Sequence, residues 1–201
     1  MDFKFEITGI EEAKNLLSKR LFGEVLKYTN QDIAKGARTM IKEKIQEGYF
    51  IRPSDLNAAM KIKAGGDSTE QILRVTSEKR GIPIFKLAGR LAVKTKLGTW
   101  IEVQKKKGAY FIPQAFISTM SSGHKGVFIR FRGGSGKGGR MTRKDAGGRN
   151  PPIHELYGPR ITSLVDSPFM LERIKIFLRE NAQRIFNQKL KWKSGGALGK
   201  D

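Results

Sequence analysis

The sequence predicts an α+β fold. A long N-terminal helix and a C-terminal helix pack on a central antiparallel β-sheet or small barrel, with a Gly-rich basic loop inserted. Three observations carry this expectation. Apolar residues near both ends recur every three or four positions, the period of a helix with one buried face. Between residues 60 and 131, short β-rich runs alternate with glycines, the pattern of a meander. Over 132–150, RGGSGKGGRMTRKDAGGRN, seven glycines and six Lys or Arg accompany one Asp, a composition suited to a flexible connection rather than to helix or strand.

The elements follow in order. Phe3, Phe5 and Ile7 alternate with polar residues and predict a short strand over 2–9 that Gly9 ends. Ala13, Leu16, Leu17, Arg20 and Val25 open a helical stripe that Ile33, Ala37, Met40, Ile41, Lys44 and Ile45 continue to Gly48, with Gly23 or Thr29-Asn30 as points of interruption. Pro53-Ser54-Asp55 starts a short helix to Ala59, with proline in the first turn. Strand-like runs occupy Met60–Lys63, Gln71–Ser77, Ile82–Leu87, Leu91–Thr95, Thr99–Gln104 and Val127–Phe131. Phe111–Met120 reads as strand or as one helical turn. After a stretch to Val165, Ser167-Pro168 caps the last helix, whose buried stripe is Leu171, Ile174, Leu178, Ala182, Ile185 and Leu190.

Length and composition bound the function. The 201 residues suit one domain over 1–193, followed by a Gly-containing tail at 194–201. The hydrophobic content of 38% is that of a folded chain, so this is no disordered polycation. The net charge is +20, from 39 Lys and Arg against 19 Asp and Glu. A compact domain so charged repels itself and calls for a polyanion or an acidic partner. The chain has no cysteine, which removes disulfides, thiolate metal sites and cysteine nucleophiles. No apolar run reaches the roughly 18 residues of a membrane span. The acid-bearing, alternating start predicts no signal peptide and a soluble, cytosolic product.

Enzyme motifs fail when tested, and the sequence predicts neither an enzyme nor a cofactor. A phosphate-cradling P-loop needs glycine at 131 and Ser or Thr after its lysine, but Phe131 and Gly138 stand there. His154-Glu155 opens like a metalloprotease helix, yet the second histidine position holds Gly158. His124 and His154, the two histidines present, lack any supporting metal-ligand spacing and suit turn and packing roles. Ser135 is followed by Gly136-Lys137 and makes no nucleophile elbow.

Positive charge is the informative feature, and it clusters three times. Lys86, Arg90, Lys94 and Lys96 sit on successive strands, Lys105-Lys106-Lys107 in a hairpin turn, and Arg132, Lys137, Arg140, Arg143, Lys144 and Arg149 in the loop. Cations on mobile turns suit phosphate backbones, which need charge and reach rather than fixed geometry. They equally suit solvated strand edges, where lysine blocks aggregation. Pro151-Pro152-Ile153-His154-Glu155-Leu156-Tyr157-Gly158-Pro159 is a stiff turn. It either docks a neighbour through Ile153, Leu156 and Tyr157 or pins the loop to the core.

The order of these segments resembles the phage minor tail protein Z family, the tail completion proteins of lambda-like siphophages. Arg80-Gly81-Ile82-Pro83-Ile84-Phe85-Lys86-Leu87, Lys105-Lys106-Lys107-Gly108, Ile112-Pro113-Gln114-Ala115-Phe116-Ile117 and Gly123-His124-Lys125-Gly126-Val127-Phe128-Ile129-Arg130 carry the resemblance. Pro152-Ile153, Gly158-Pro159 and the final helix complete it. It covers about 55–185; the Gly-rich insertion at 132–150 departs from the family pattern. The resemblance implies a structural virion protein of the tail or neck, assembled in the host cytoplasm. It would complete the head-proximal tail end for head–tail joining and DNA passage. It also implies a homo-oligomeric ring, tail terminator and head–tail connector neighbours, duplex DNA in the lumen and no membrane. The alternative from charge alone is a free, sequence-nonspecific nucleic-acid-binding protein, ribosome- or nucleoid-associated.

Overall fold

The computed structural model describes residues 1–66, 70–77, 80–88, 92–130 and 152–194. The fold is α+β. The chain opens with β1 (Asp2–Phe5), α1 (Ile10–Leu16), α2 (Lys19–Gly48) and α3 (Pro53–Ala59). Strands β2 (Met60–Gly66) and β3 (Gln71–Ser77) precede α4 (Ile84–Leu87). Then come β4 (Ala92–Lys94), β5 (Gly98–Glu102), β6 (Ala109–Pro113), β7 (Phe116–Thr119), β8 (Lys125–Arg130) and β9 (Ile153–Glu155). Helices α5 (Ile161–Val165) and α6 (Pro168–Lys193) close it. The chain divides into two compact units. The first gathers Met1–Lys44, Asn57–Glu78 and Ile161–Asp201, the second Ile45–Leu56 and Lys79–Arg160.

In the first unit β1, β3 and β2 form an antiparallel sheet in that order. The alternation read at the N-terminus is real: Phe3 and Phe5 are buried while Asp2 and Lys4 are exposed. Asp2 receives a two-pronged hydrogen bond from Arg74 across the register, at 2.8 and 2.9 Å. On α2 the buried positions are Val25, Thr29, Ile33, Ala37, Ile41 and Ile45. At 3.6 residues per turn, positions four apart drift about 40°. This stripe therefore winds round the helix, so partners on more than one side cover it.

Helix α6 is one of those partners. Gly36 lies under the Phe177 ring, where a Cβ would approach to 2.7 Å. Lys193 bonds Glu24 at 2.6 Å, Lys189 pairs with Asp32, and Tyr28 meets Trp192 edge-on at 5.7 Å. Rising positions on α2 thus meet falling positions on α6, so the helices run antiparallel where they touch. The predicted cap stands: Ser167 Oγ accepts from the Met170 N–H at 3.4 Å, with Pro168 in the first turn. The buried stripe of α6 is Met170, Ile174, Leu178, Ala182, Ile185 and Phe186. Met170, four before Ile174, is buried in place of Leu171, and Leu190 is half-buried.

The second unit holds two more three-stranded antiparallel sheets, β4-β5-β6 and β7-β8-β9. The single central sheet or barrel of the sequence reading is thus three small sheets. At the junction of the second and third, Gln114 takes a left-handed φ of 64° between β6 and β7. Thr99 Oγ1, fully buried, donates to the Ala115 carbonyl at 2.8 Å. That turn sends the chain out of one sheet into the next. It also makes Phe111–Met120 the end of β6 plus β7 rather than a helical turn.

Other expectations shift for local reasons. The long N-terminal helix breaks at Leu17-Ser18, not at Gly23 or Thr29-Asn30. Leu17 is extended, with φ −102° and ψ 151°, and Ser18 Oγ accepts from the Leu21 N–H at 3.4 Å. Ile82–Leu87 is not a strand. Pro83 (φ −49°) caps a single helical turn whose Ile84 and Leu87, three apart, are buried. Strand β9 has no counterpart in the sequence pattern. The Gly-rich loop at 132–150, Arg90 and most of the tail at 194–201 lie outside the described residues.

Two outcomes follow. A Cβ on Gly81 would stand 2.0 Å from the Gly158 carbonyl oxygen, a backbone atom that no rotamer change can move aside. Gly81→Ala is expected to destabilise by about 1–3 kcal/mol, read as a lower urea midpoint at unchanged slope. The hydrogen bonds from Lys193 and Lys189 hold Glu24 and Asp32 below the ordinary carboxylate range. Groups with lowered folded pKa stabilise above their unfolded value, and that stability is lost as pH falls through the folded one. Thermal melts from pH 5 to pH 2, about the span over which carboxylates protonate, should show a smaller loss of Tm in Glu24→Gln/Asp32→Asn than in the parent.

Candidate polyanion-binding surfaces

The hairpin read from the sequence is present in the second unit. Strands β5 and β6 pair antiparallel, and Lys105, Lys106 and Lys107 occupy the turn between them, closed by Gly108 with φ 69°. All three lysines are exposed. The turn is held from one side by the segment after α2. The Phe50 N–H donates to the Val103 carbonyl at 3.2 Å and the Lys105 N–H to the Gly48 carbonyl at 3.0 Å. Gln104 Nε2 adds a bond to Tyr49 Oη at 2.9 Å. These bonds place Lys105 Nζ 5.8 Å from the centre of the Phe50 ring, a cation–π distance.

Lys105 thereby joins a cleft of about 800 Å³ within the same unit. Its apolar lining includes Tyr49, Phe50, Ile51, Phe85 and Ile117. Its cations are Arg52, Lys86, Lys105 and Lys125, with His124 beside them. Lys125 Nζ stands 5.2 Å over the Phe85 ring. Lys86 pairs with Asp55 at 2.9 Å, and His124 Nε2 meets Glu155 Oε1 at 2.6 Å. Among the described residues no carboxylate pairs with Arg52, Lys105 or Lys125. Among the described residues the cleft lining holds one acid, Asp55, against four fixed cations.

One face of the β4-β5-β6 sheet is open. Register places Val93, Trp100 and Phe111 in one cross-strand row. Val93 is 49% and Trp100 43% exposed, and the two aromatic rings are 5.3 Å apart. The turn at one end of this sheet holds Lys96 and an exposed Leu97, beside Lys94; the turn at the other holds Lys105 to Lys107.

The stiff turn is tied down by its backbone. The Leu156 N–H bonds the Val127 carbonyl at 2.9 Å, its carbonyl accepts from Ile84 at 2.9 Å, and the Gly158 N–H reaches Ile82 O at 2.8 Å. Ile153 and Tyr157 are exposed, and Leu156 is half-buried. Arg132, Lys137, Arg140, Arg143, Lys144 and Arg149 lie outside the described residues. Among the described residues no three histidines or acids come together in a metal-holding group, and no helix is long and apolar enough to cross a membrane.

The first unit carries a second basic surface that sequence reasoning missed. A groove of about 680 Å³ is lined by Lys27, Asn30, Gln31, Lys35, Arg38 and Lys63, with Ala34, Ile62 and Ala64. Among the described residues its lining holds no aromatic side chain. The signal was available: positions 27, 31, 35 and 38 share one face of α2 by their spacing of three and four. Arg52 and Lys125 were missed for another reason, since neither belongs to a run of charge.

The Tyr157 hydroxyl donates to Glu155 Oε2 at 2.8 Å. That hydrogen bond to a carboxylate, with burial assisting, holds Tyr157 above the ordinary tyrosine value. Glu155→Ala should bring it down, read as the difference between ultraviolet pH titrations with and without Tyr157→Phe. No family model matches the chain, and neither a curated protein nor a solved structure matches it.

Proposed function

We propose that this chain is a structural protein of a phage tail or neck. In this reading it completes the head-proximal tail end as a homo-oligomeric ring, beside tail terminator and head–tail connector proteins, with duplex DNA in the lumen. The observation that carries it is the cross-strand row of exposed Val93 and Trp100 with half-buried Phe111, on a sheet with basic turns at both ends. An apolar row of this kind suits burial against a neighbouring subunit, and the flanking lysines suit a phosphate backbone passing nearby. The ordered resemblance of segments over 55–185 to the tail completion family supports the same reading. Repetition round a ring multiplies a charge of +20 into a channel lining. Ile153 and Tyr157 add exposed apolar surface for docking, with Leu156 behind them.

A second reading has its own support. The aromatic-free groove of Lys27, Lys35, Arg38 and Lys63 suits nonspecific phosphate contact by a free nucleic-acid-binding protein. Salt titration of a short DNA duplex against the isolated chain separates the two. A ring subunit should bind no tighter than about 10⁻⁶ M at physiological salt, the tight end of ordinary nonspecific binding. Much tighter binding by the monomer favours the second reading. If the hairpin touches DNA, Lys105→Gln/Lys106→Gln/Lys107→Gln should flatten the log–log salt slope by about 0.9 for each phosphate that is no longer neutralised.

A further inference from the structure

We infer that the cleft of the second unit is a docking site for an acidic peptide segment carrying an aromatic or large apolar side chain, supplied by another protein. This goes beyond the tail reading and stands on the cleft alone. Among the described residues, these two basic pockets differ in what lies beneath the charge. The groove of the first unit offers cations and amides, as a sugar–phosphate backbone requires. The cleft of the second unit sets Arg52, Lys86, Lys105 and Lys125 round Tyr49, Phe50, Ile51, Phe85 and Ile117. A duplex is a convex rod of charge with its bases turned inward, and it would leave that apolar lining unused. A peptide with acids either side of an aromatic residue uses both layers, its ring among the apolar side chains and its carboxylates on the ammonium groups.

The cations are already arranged for this. Lys105 and Lys125 rest over Phe50 and Phe85 with no carboxylate partner among the described residues, so an incoming acid breaks no ion pair at either. Lys86 is held by Asp55, which fixes its position and lets a ligand carboxylate share it. The main-chain bonds of Phe50 and Lys105 to Val103 and Gly48 preset one wall. Preformed walls lower the ordering cost of binding. A second copy of this chain is a poor occupant, because its surplus charge has the same sign.

The test uses fluorescent dodecapeptides of repeating aspartate–aspartate–phenylalanine, the same peptide with serine for phenylalanine, and an oligothymidylate of equal charge. Anisotropy of the full chain should show the phenylalanine peptide binding at least about tenfold tighter than either control. Lys105→Gln/Lys125→Gln should weaken that peptide about tenfold with an unchanged melt, whereas Lys27→Gln/Arg38→Gln should not. Nitrogen-15 spectra of the unaltered chain should place the shifts at Phe50, Phe85, Lys105 and Lys125. Equal binding of the serine peptide would reduce the cleft to a charge patch and overturn the inference. Tighter binding of oligothymidylate would overturn it in favour of single-stranded nucleic acid. Spectral shifts on α2 in place of the cleft would overturn it as well.

Discussion

Mutual repulsion among cationic side chains is the constraint that the rest of the structure answers. With 39 Lys and Arg against 19 acids, each acid is scarce, and many are set at joints. Glu24 and Asp32 hold α6 on α2 through Lys193 and Lys189. Asp2 and Glu70 clasp the edge and the end of the first sheet through Arg74 and Lys4. Asp55 joins α3 to α4, and Glu155 meets His124 across β8 and β9. Exposed pairs contribute little each, from about zero to 1 kcal/mol, so burial of the helical stripes and sheet faces supplies the stability. What the pairs do is decide where the surplus charge remains. Among the described residues, part of it remains on the hairpin, in the cleft and along the α2 groove.

Those three places do not offer the same chemistry. Charge alone gives long-range attraction and salt-sensitive, sequence-blind contact. Charge laid over aromatic rings, as at Lys105 and Lys125, adds shape and an apolar surface, which discriminate between ligands. Exposed Val93 and Trp100, in one row with half-buried Phe111, add a third kind of surface with no charge of its own.

Much of this was legible in the sequence where one local rule acted alone. Ser167-Pro168 specifies a helix start whatever surrounds it, and the structure has that cap. Lysines followed by glycine between two strand patterns specify a hairpin turn, which is where Lys105 to Lys107 stand. Reading failed where tertiary contacts outvoted local pattern. Ile82–Leu87 is apolar enough for a strand, but Pro83 and the close approach of Gly81 to Gly158 leave room only for a bridge and one helical turn. Phe111–Met120 was ambiguous because its turn rests on Gln114, a residue with no strong turn signature, held left-handed by its setting. The cleft was illegible for a different reason. Arg52, Lys86, Lys105 and Lys125 are far apart in sequence, and only the packing of α4 on β8 and of Phe50 beside Val103 brings them round one space.

The proposed role is tested most directly by removing the gene from the phage or prophage in which the proposal places it and imaging the lysate by negative-stain electron microscopy. A tail completion subunit predicts unjoined heads and tails, malformed head-proximal tail ends, or joined particles that fail to infect, with restoration by the gene supplied in trans. Normal, infectious virions would contradict the account and leave a free nucleic-acid-binding protein as the reading to pursue.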